Sequence, residues 1–208
     1  MMYKLLGRAT SGNVQKVIFM LEEMGAAYER EDYGRQFENT TTPEYKALNP
    51  TSKVPTFIDG DTVIWESNTI LRYLAASAPQ FTGATPAEKA DVERWMDFLL
   101  AAVNPGYLAA FKGAKLTPEE QTPEYKEAVK DLVAQLKIID GHLAGKSFFA
   151  LGKLTIADIA CGPILKRCID FKIDRPTLPN LEAWVASLSN RPAFAKATGA
   201  APAAPKAA

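Results

Sequence analysis

Short apolar runs and helically spaced apolar positions follow one another in the first part of the chain. The run Tyr3 to Leu6 is typical of a buried strand. Apolar residues then recur three and four positions apart, which predicts one face of a helix ending at Gly25 (Val14, Val17, Ile18, Leu21 and Met24). The segment 28–33 predicts a second strand. Strand, helix and strand with short links predict a right-handed βαβ unit with parallel strands.

The stretch 48–74 begins with a proline and a turn signal. Pro55 follows Val54 where a third strand is predicted to start, and proline cannot donate to a central ladder. Asp59 and Gly60 predict the tight turn of a two-stranded hairpin. Together with a short helix that starts at Pro43, the hairpin extends the predicted order to βαβαββ.

The same stretch ends in an amphipathic helix with polar residues at its start. Glu66 and Ser67 place an acid and a hydroxyl at the end of the helix where backbone N–H groups lack partners. The helix is expected to end near Ala76 and completes a βαβαββα order. We therefore predict an α/β domain over residues 1–78.

After a breaker-rich link at 77–83, the pattern becomes entirely helical. Thr85, followed by a proline and by Glu88, predicts a capping box. Further helix starts are predicted at Thr122, Thr155 and Asn180, each ahead of apolar residues at helical spacing. The pattern predicts an all-helical domain over 85–198 and a disordered tail of alanine, proline and lysine over 199–208.

Composition and charge exclude several classes of protein. Lys plus Arg equals Asp plus Glu, 24 against 24, so no overall field favours nucleic acid or anionic membrane. We expect no signal peptide and no spanning helix, which needs ~20 apolar residues. Cys161 and Cys168 would lie about 10 Å apart along a helix, too far for a disulfide. A cytoplasmic location is expected. With one histidine, no metal site is expected.

Several short motifs, taken in order, carry a family resemblance. They are Asn49-Pro50, Lys53-Val54-Pro55, Glu66-Ser67 and the segment Thr155 to Asp158. In this arrangement the chain resembles the glutathione S-transferase family over nearly its whole length. The resemblance implies a thioredoxin-like N-terminal domain, an α-helical bundle as C-terminal domain, and glutathione as co-substrate without a metal. It also implies a homodimer that pairs the α/β domain of one subunit with the helical domain of the other.

The resemblance assigns roles in binding glutathione, an extended peptide that can be held as an added strand. Val54, ahead of a cis Pro55, would offer its backbone. Ser67 would hold a carboxylate at the helix N-terminus, and Glu66 would hold the ammonium group. Lys53 would reach the glycyl carboxylate. The alternatives are a trans proline in a loop, a helix cap at Glu66 and Ser67, and a solvated surface lysine.

The catalytic group must stabilise the glutathione thiolate, because a free thiol has a pKa of about 8.5. Ser11, ahead of the first helix, matches the serine of the serine-type members, and Asn13 is expected to assist it. The alternative is that Ser11 or Thr10 merely caps the helix. A tyrosine mechanism through Tyr3 is not expected. A cysteine mechanism is not expected either, because no cysteine lies in the first domain.

The resemblance implies that the second substrate binds in the cleft between the two domains, against the helix predicted around Val103 to Lys112. The candidate residues are Tyr107, Phe111, Lys112 and Arg167, although aromatic residues at such positions more often belong to the core than to a pocket. The function implied is conjugation of glutathione to an electrophilic small molecule. The alternatives are a glutathione-dependent disulfide-bond reductase, and a non-catalytic glutathione-binding or regulatory protein. The chain does not identify the electrophile.

Overall fold

The computed structural model describes residues 2–113 and 116–199. The chain divides into two compact units, one formed by residues up to Gln80 together with those from Ser189, and the other by Phe81–Leu188. The predicted tail begins at Gly199, which ends a helix, and its residues 200–208 lie outside the described part. The assignment of 1–78 and 85–198 to glutathione binding and second-substrate binding stays a prediction.

The first unit is built on a four-stranded mixed sheet. Its strands are β1 (Tyr3–Leu6), β2 (Tyr28–Glu31), β3 (Thr56–Asp59) and β4 (Thr62–Trp65), in the order β2-β1-β3-β4. β1 runs parallel to β2 and antiparallel to β3, and β3 pairs antiparallel with β4. The Asp-Gly hairpin turn predicted from the sequence lies between β3 and β4, where Gly60 adopts a positive φ of 57°.

Four helices complete the first unit: α1 (Gly12–Glu23), α2 (Pro43–Leu48), α3 (Ser67–Ser77) and α9 (Pro192–Thr198). Apolar residues of the sheet and of α1 and α3 form its core, including Leu5, Phe19, Phe57, Ile70 and Leu74. The observed βαβαββα order confirms the predicted fold of the N-terminal domain.

Helix α9 returns to the first unit and packs on α1. The rings of Phe19 and Phe194 meet edge to face, with their centroids 5.1 Å apart. The guanidinium of Arg191 donates from Nε and a terminal nitrogen to the two carboxylate oxygens of Glu23, at 2.7 and 2.8 Å. A forked ion pair of this kind fixes both distance and orientation. Helix α9 therefore stabilises α1, the helix that has Ser11 at its N-cap.

The second unit is helical, as predicted. Its helices are α4 (Pro86–Phe98), α5 (Asn104–Gly113), α6 (Pro123–His142), α7 (Ile156–Asp170) and α8 (Pro179–Ser189). A single π-helical turn, Leu99–Val103, joins α4 to α5 just ahead of Pro105. Because proline lacks an N–H and disrupts an α-helix, a widened turn at this position is a common accommodation.

The start of α7 anchors the core of the helical unit. The buried carboxylate of Asp158 accepts hydrogen bonds from the backbone N–H groups of Phe149 and Thr155, the Thr155 hydroxyl and the Trp184 indole, at 2.9 to 3.2 Å. Burial nevertheless raises the pKa of Asp158 to about 6. The predicted capping box is thus one part of a network that joins three segments.

Candidate functional site

Val54 presents open backbone groups beside the first strand. Its peptide bond to Pro55 is cis. Its side chain packs against Gly7 and Gly34, where an added Cβ would lie 3.3 and 3.4 Å from the nearest atoms of Val54. The N–H and C=O of Val54 form no hydrogen bond with any residue that the structure describes. A pair of open backbone groups next to a sheet can hold an extended peptide.

Buried polar side chains fix the loop that carries Val54. The Tyr45 hydroxyl donates to the carbonyl oxygen of Lys53 at 2.5 Å, and its oxygen lies 2.9 Å from that of the Thr56 hydroxyl. The side-chain amide of Asn49 donates to the same two oxygens, both at 3.0 Å. Tyr45 and Asn49 are 2% and 1% exposed, so water cannot replace these bonds readily. The loop ahead of Val54 is therefore preorganised.

Ser67 and Glu66 stand at the N-terminus of α3, as predicted from the sequence. Glu66 occupies the N-cap position with a positive φ of 68°, and its side chain does not cap the helix. Its carboxylate is exposed and forms no ion pair with a described residue. The first turn contains no acidic residue, so the positive end of the helix dipole is available to an anion. The arrangement can accept one carboxylate and one ammonium group.

Asn13 joins the start of α1 to the start of α3. The buried Ser67 hydroxyl donates to the side-chain oxygen of Asn13 at 3.3 Å. This is the one hydrogen bond that the side chain of Asn13 forms with a described residue. Asn13 thus contacts the group expected to hold the glutathione carboxylate. This link could not be predicted from the sequence, because the two residues are 54 positions apart in the chain.

Ser11 occupies the N-cap position of α1. The residue is only 8% exposed, yet its hydroxyl neither caps the helix nor bonds to any other described residue. The first turn of α1 has no acidic residue, so the hydroxyl lies at a positive helix end without a competing carboxylate. In the structure, therefore, the side chain of Ser11 does not cap the helix, contrary to the alternative considered from the sequence. The geometry leaves the hydroxyl able to donate to an anion.

A second buried polar residue supports the loop before Ser11. The side-chain amide of Gln15 donates to the carbonyl oxygen of Ala9 at 3.0 Å. The backbone N–H of Ser11 donates to the carbonyl oxygen of Arg8 at 3.1 Å. These bonds close a tight turn at the end of β1. Sequence reasoning missed Gln15 and Tyr45, although a polar residue at a position where the helical or strand pattern points inward is a usable signal.

Lys53 is exposed on the loop that Tyr45 and Asn49 hold. Its ammonium group forms no ion pair with a described residue. Only its backbone is engaged, through the carbonyl oxygen described above and through an N–H that donates to the Thr51 hydroxyl at 3.3 Å. The side chain can therefore reach an anion beside Val54.

The residues expected at the second-substrate site lie in the helical unit. The ring of Tyr107 stands 6.2 Å from that of Phe111 and 5.8 Å from that of Phe171, centroid to centroid. Tyr107 is 7% exposed, so it belongs largely to the core. Lys112 is exposed and Arg167 is half-buried. The structure thus brings the aromatic residues together and leaves the role of the two cations as a prediction.

Both cysteines of the chain lie buried in the helical unit, where they are poorly suited to catalysis. Cys161 and Cys168 are free thiols buried in α7, and burial raises the pKa of Cys168 to about 12. A buried thiol with a raised pKa is a poor nucleophile. Among residues 2–113 and 116–199, no group of acidic, histidine and cysteine side chains could hold a metal ion. No described helix is both long and apolar enough to cross a bilayer.

Comparison with known proteins agrees with this geometry. Residues 1–76 match the family model described as the glutathione S-transferase N-terminal domain, and residues 92–192 match the corresponding C-terminal domain. The curated glutathione S-transferase GstB of Escherichia coli (strain K12) is 32% identical over 201 residues, covering 94% of this chain and 97% of that protein.

Two solved structures resemble the whole fold. The theta class glutathione S-transferase of the citrus canker pathogen Xanthomonas axonopodis pv. citri, solved with glutathione bound, is 36% identical with a TM-score of 0.88, covering 97% of this chain and 99% of that chain. A glutathione S-transferase of Pseudomonas fluorescens is 28% identical with a TM-score of 0.84, covering 93% and 97%.

The two family models, in this order along the chain, place it among the glutathione-dependent transferases. The chain belongs to the glutathione S-transferase family. The predicted transferase function, with glutathione as co-substrate, is thereby confirmed.

Proposed function

We propose that the protein conjugates glutathione to electrophilic small molecules, with the Ser11 hydroxyl stabilising the glutathione thiolate. The observation that carries this proposal is the buried Ser11 hydroxyl, which bonds to no described residue at the positive end of α1. A hydrogen bond donated to a thiolate favours its ionised form and lowers the thiol pKa. Ser11 acts as a donor and not as a nucleophile.

Glutathione is held along the edge of the first unit in this proposal. Val54 pairs with the peptide through its open backbone groups. The γ-glutamyl end meets α3, where Ser67 and the backbone N–H groups of the first turn bind the carboxylate and Glu66 binds the ammonium group. Lys53 pairs with the glycyl carboxylate. Asn13 orients the Ser67 hydroxyl through the bond that joins the two helix starts.

Conjugation is favoured over disulfide reduction through a protein thiol, because the two cysteines of the chain are buried in α7. Two assays on the purified protein distinguish the candidates: conjugation of a chlorodinitrobenzene-type electrophile, and glutathione-dependent reduction of a small disulfide. We expect conjugation to dominate and to fall sharply in Ser11→Ala. Thermal stabilisation by glutathione without turnover in either assay would instead indicate a binding protein.

The second substrate is proposed to contact the aromatic group of Tyr107 and Phe111, with Lys112 and Arg167 as charged neighbours. The ring contacts within the helical unit support an apolar surface at this place. Phe111→Ala is expected to raise KM for an aromatic electrophile without changing KM for glutathione. An equal effect on both constants would remove Phe111 from this role.

A cytoplasmic homodimer is proposed as the working form. Val63 and Trp65 on the edge strand β4, and Tyr73 on α3, leave 37 to 38% of their surface exposed. Large exposed apolar side chains on a sheet edge favour covering by a partner. The free thiols at Cys161 and Cys168 support a reducing compartment. Sedimentation of the native protein and of Trp65→Lys tests the dimer, and an unchanged mass in the variant would exclude this surface.

A further inference from the structure

A groove of about 770 Å³ lies wholly within the helical unit, between α6 and the segment that links α7 to α8. One wall follows α6 from Tyr125 to Lys137, with Gln121 just ahead of the helix, and the other is formed by residues 172–176. At 1.5 Å per residue, the α6 wall is about 18 Å long. The groove is therefore elongated, and its length matches about five to six residues of an extended chain at ~3.3 Å each.

Both walls are firmly built. On α6, Val129 and Val133 form a buried apolar floor. On the opposite wall, the Arg175 guanidinium donates to Glu182 at 2.7 Å and to the carbonyl oxygens of Ile169 and Pro176 at 3.3 and 3.1 Å. Arg175 thus holds the segment in place and is not available to a ligand. A groove with preformed walls avoids much of the ordering cost of binding.

The rims of the groove carry a local excess of positive charge. Lys126, Lys130 and Lys137 lie at positions i, i+4 and i+11 of α6, which share one helix face, and Lys172 lies on the other wall. Lys130 is paired with Glu127 at 3.1 Å, and Asp174 is the acidic residue among those that line the groove. Lys126, Lys137 and Lys172 form no ion pair with any described residue. The groove is therefore positively charged although the chain as a whole has a net charge of zero.

We propose that this groove binds an acidic, amphipathic peptide segment of a partner protein, laid in extended form between α6 and residues 172–176. Its apolar side chains contact the valine floor, and its carboxylates pair with the lysines on the two rims. Complementary charge of this kind steers a partner and sets its register. The cations are spread along the groove rather than converging on one point, which fits a chain better than a compact anion. The last ten residues of the protein contain one lysine and no acid, so they do not fit.

The test uses the whole 208-residue chain and a fluorescein-labelled peptide of about six residues in which aspartate and leucine alternate, a length set by the groove. Fluorescence anisotropy at low salt is expected to show saturable binding. The charge-reversed variant K126E/K137E/K172E should weaken binding at least tenfold. The control variant K46E/K89E/K153E, at exposed lysines outside the groove, should stay within twofold.

A groove-filling variant and a peptide of opposite charge test the shape and the charge of the groove separately. Ala134→Phe fills the groove from an exposed position without changing charge and should also weaken binding, while circular dichroism verifies that both groove variants fold. A peptide with lysine in place of aspartate should not bind. Equal affinity for the groove and control variants, or saturation by a naphthalene sulfonate without peptide binding, would overturn the proposal. Glutathione conjugation should proceed unchanged in both groove variants.

Discussion

The Ser67 hydroxyl donates a hydrogen bond to the side-chain oxygen of Asn13, across 3.3 Å and 54 positions of sequence. The bond joins the first turns of α1 and α3, where backbone N–H groups have no partner within their own helix. It assigns Asn13 to the carboxylate end of glutathione in our proposal, whereas the sequence suggested that Asn13 assists the sulfur.

Removing this link should weaken glutathione binding more than chemistry. Asn13→Ala is expected to raise KM for glutathione about two- to twelvefold and to leave kcat nearly unchanged, because a neutral hydrogen bond contributes about 0.5–1.5 kcal/mol. Steady-state kinetics measure both constants. A double-mutant cycle with Ser67→Ala should show coupling of about 0.5 kcal/mol or more. Strict additivity would mean that Asn13 does not act through Ser67.

Tyr45 should control the loop that presents Val54. Tyr45→Phe removes the donor to the Lys53 carbonyl and the contact with Thr56, and should reduce the free energy of unfolding by about 1–3 kcal/mol. KM for glutathione should rise in parallel. Tyr33→Phe is the matched control, since Tyr33 stacks on Tyr45 at 5.0 Å but its hydroxyl bonds to no described residue. An equal loss in the control would mean that removing either hydroxyl from this stacked pair lowers stability, and that the bonds of Tyr45 to Lys53 and Thr56 are not the cause.

The ion pair between Arg191 and Glu23, which joins the start of α9 to α1, should contribute measurably to the free energy of unfolding. Arg191→Ala leaves Glu23 unpaired with only 12% of its side chain exposed, and should cost about 1–3 kcal/mol in urea unfolding. Arg94→Ala is the control, because its ion pair with Asp91 is exposed and spans 3.6 Å. We expect that control to cost less than about 1 kcal/mol. Equal losses would show that α9 does not brace α1 through this pair.

Asp158 should give the stability a distinctive pH dependence. Its folded-state pKa of about 6 lies above the ordinary value of 3.8, so the native state holds a proton that the unfolded state releases between these pH values. The contribution of this group to stability is therefore greatest below pH ~4 and is lost as pH rises through ~6. When protonated, Asp158 can donate to the Thr155 hydroxyl oxygen, 3.1 Å away.

The matched variant is Asp158→Asn, which cannot titrate. It should be less stable than the native protein at every pH, because its amide nitrogen faces groups that donate to the carboxylate. The difference between the two proteins in urea unfolding should shrink between pH 5 and pH 7.5, values that bracket the raised pKa. A difference that grows over this range would contradict the raised pKa of Asp158.

Local patterns in the sequence predicted most of the fold, because they depend on neighbouring residues. The strand at Tyr3–Leu6, the Asp-Gly hairpin and the capping box at Thr155 all appear where the pattern indicated. Helix α9 was not predicted, because seven residues are too few to show a helical period, and its place depends on Phe194 packing against Phe19, far away in the sequence. The π-helical turn at Leu99–Val103 was missed because its apolar spacing also fits an unbroken helix.

Site residues could be predicted from the sequence where their position in a local motif was enough. They could not be predicted where the role depends on partners from distant segments. Glu66 and Ser67 stand at the predicted helix start. The Tyr45 and Asn49 network could not be foreseen, since it depends on which carbonyl each side chain meets. Whether Ser11 caps its helix also depends on the side-chain orientation, which the sequence leaves open.

The proposed role of Ser11 can be tested through the thiol pKa of glutathione bound to the protein, measured from the ultraviolet absorbance of the thiolate as pH is varied. The native protein should lower this pKa below the free-thiol value of about 8.5. Ser11→Ala should raise the thiol pKa of bound glutathione by about 1 to 2 pH units, since a hydrogen bond to a charged group contributes about 1.5–3 kcal/mol. Thr10→Ala is the control and should leave it unchanged. An equally low thiol pKa in Ser11→Ala would contradict the role proposed for Ser11.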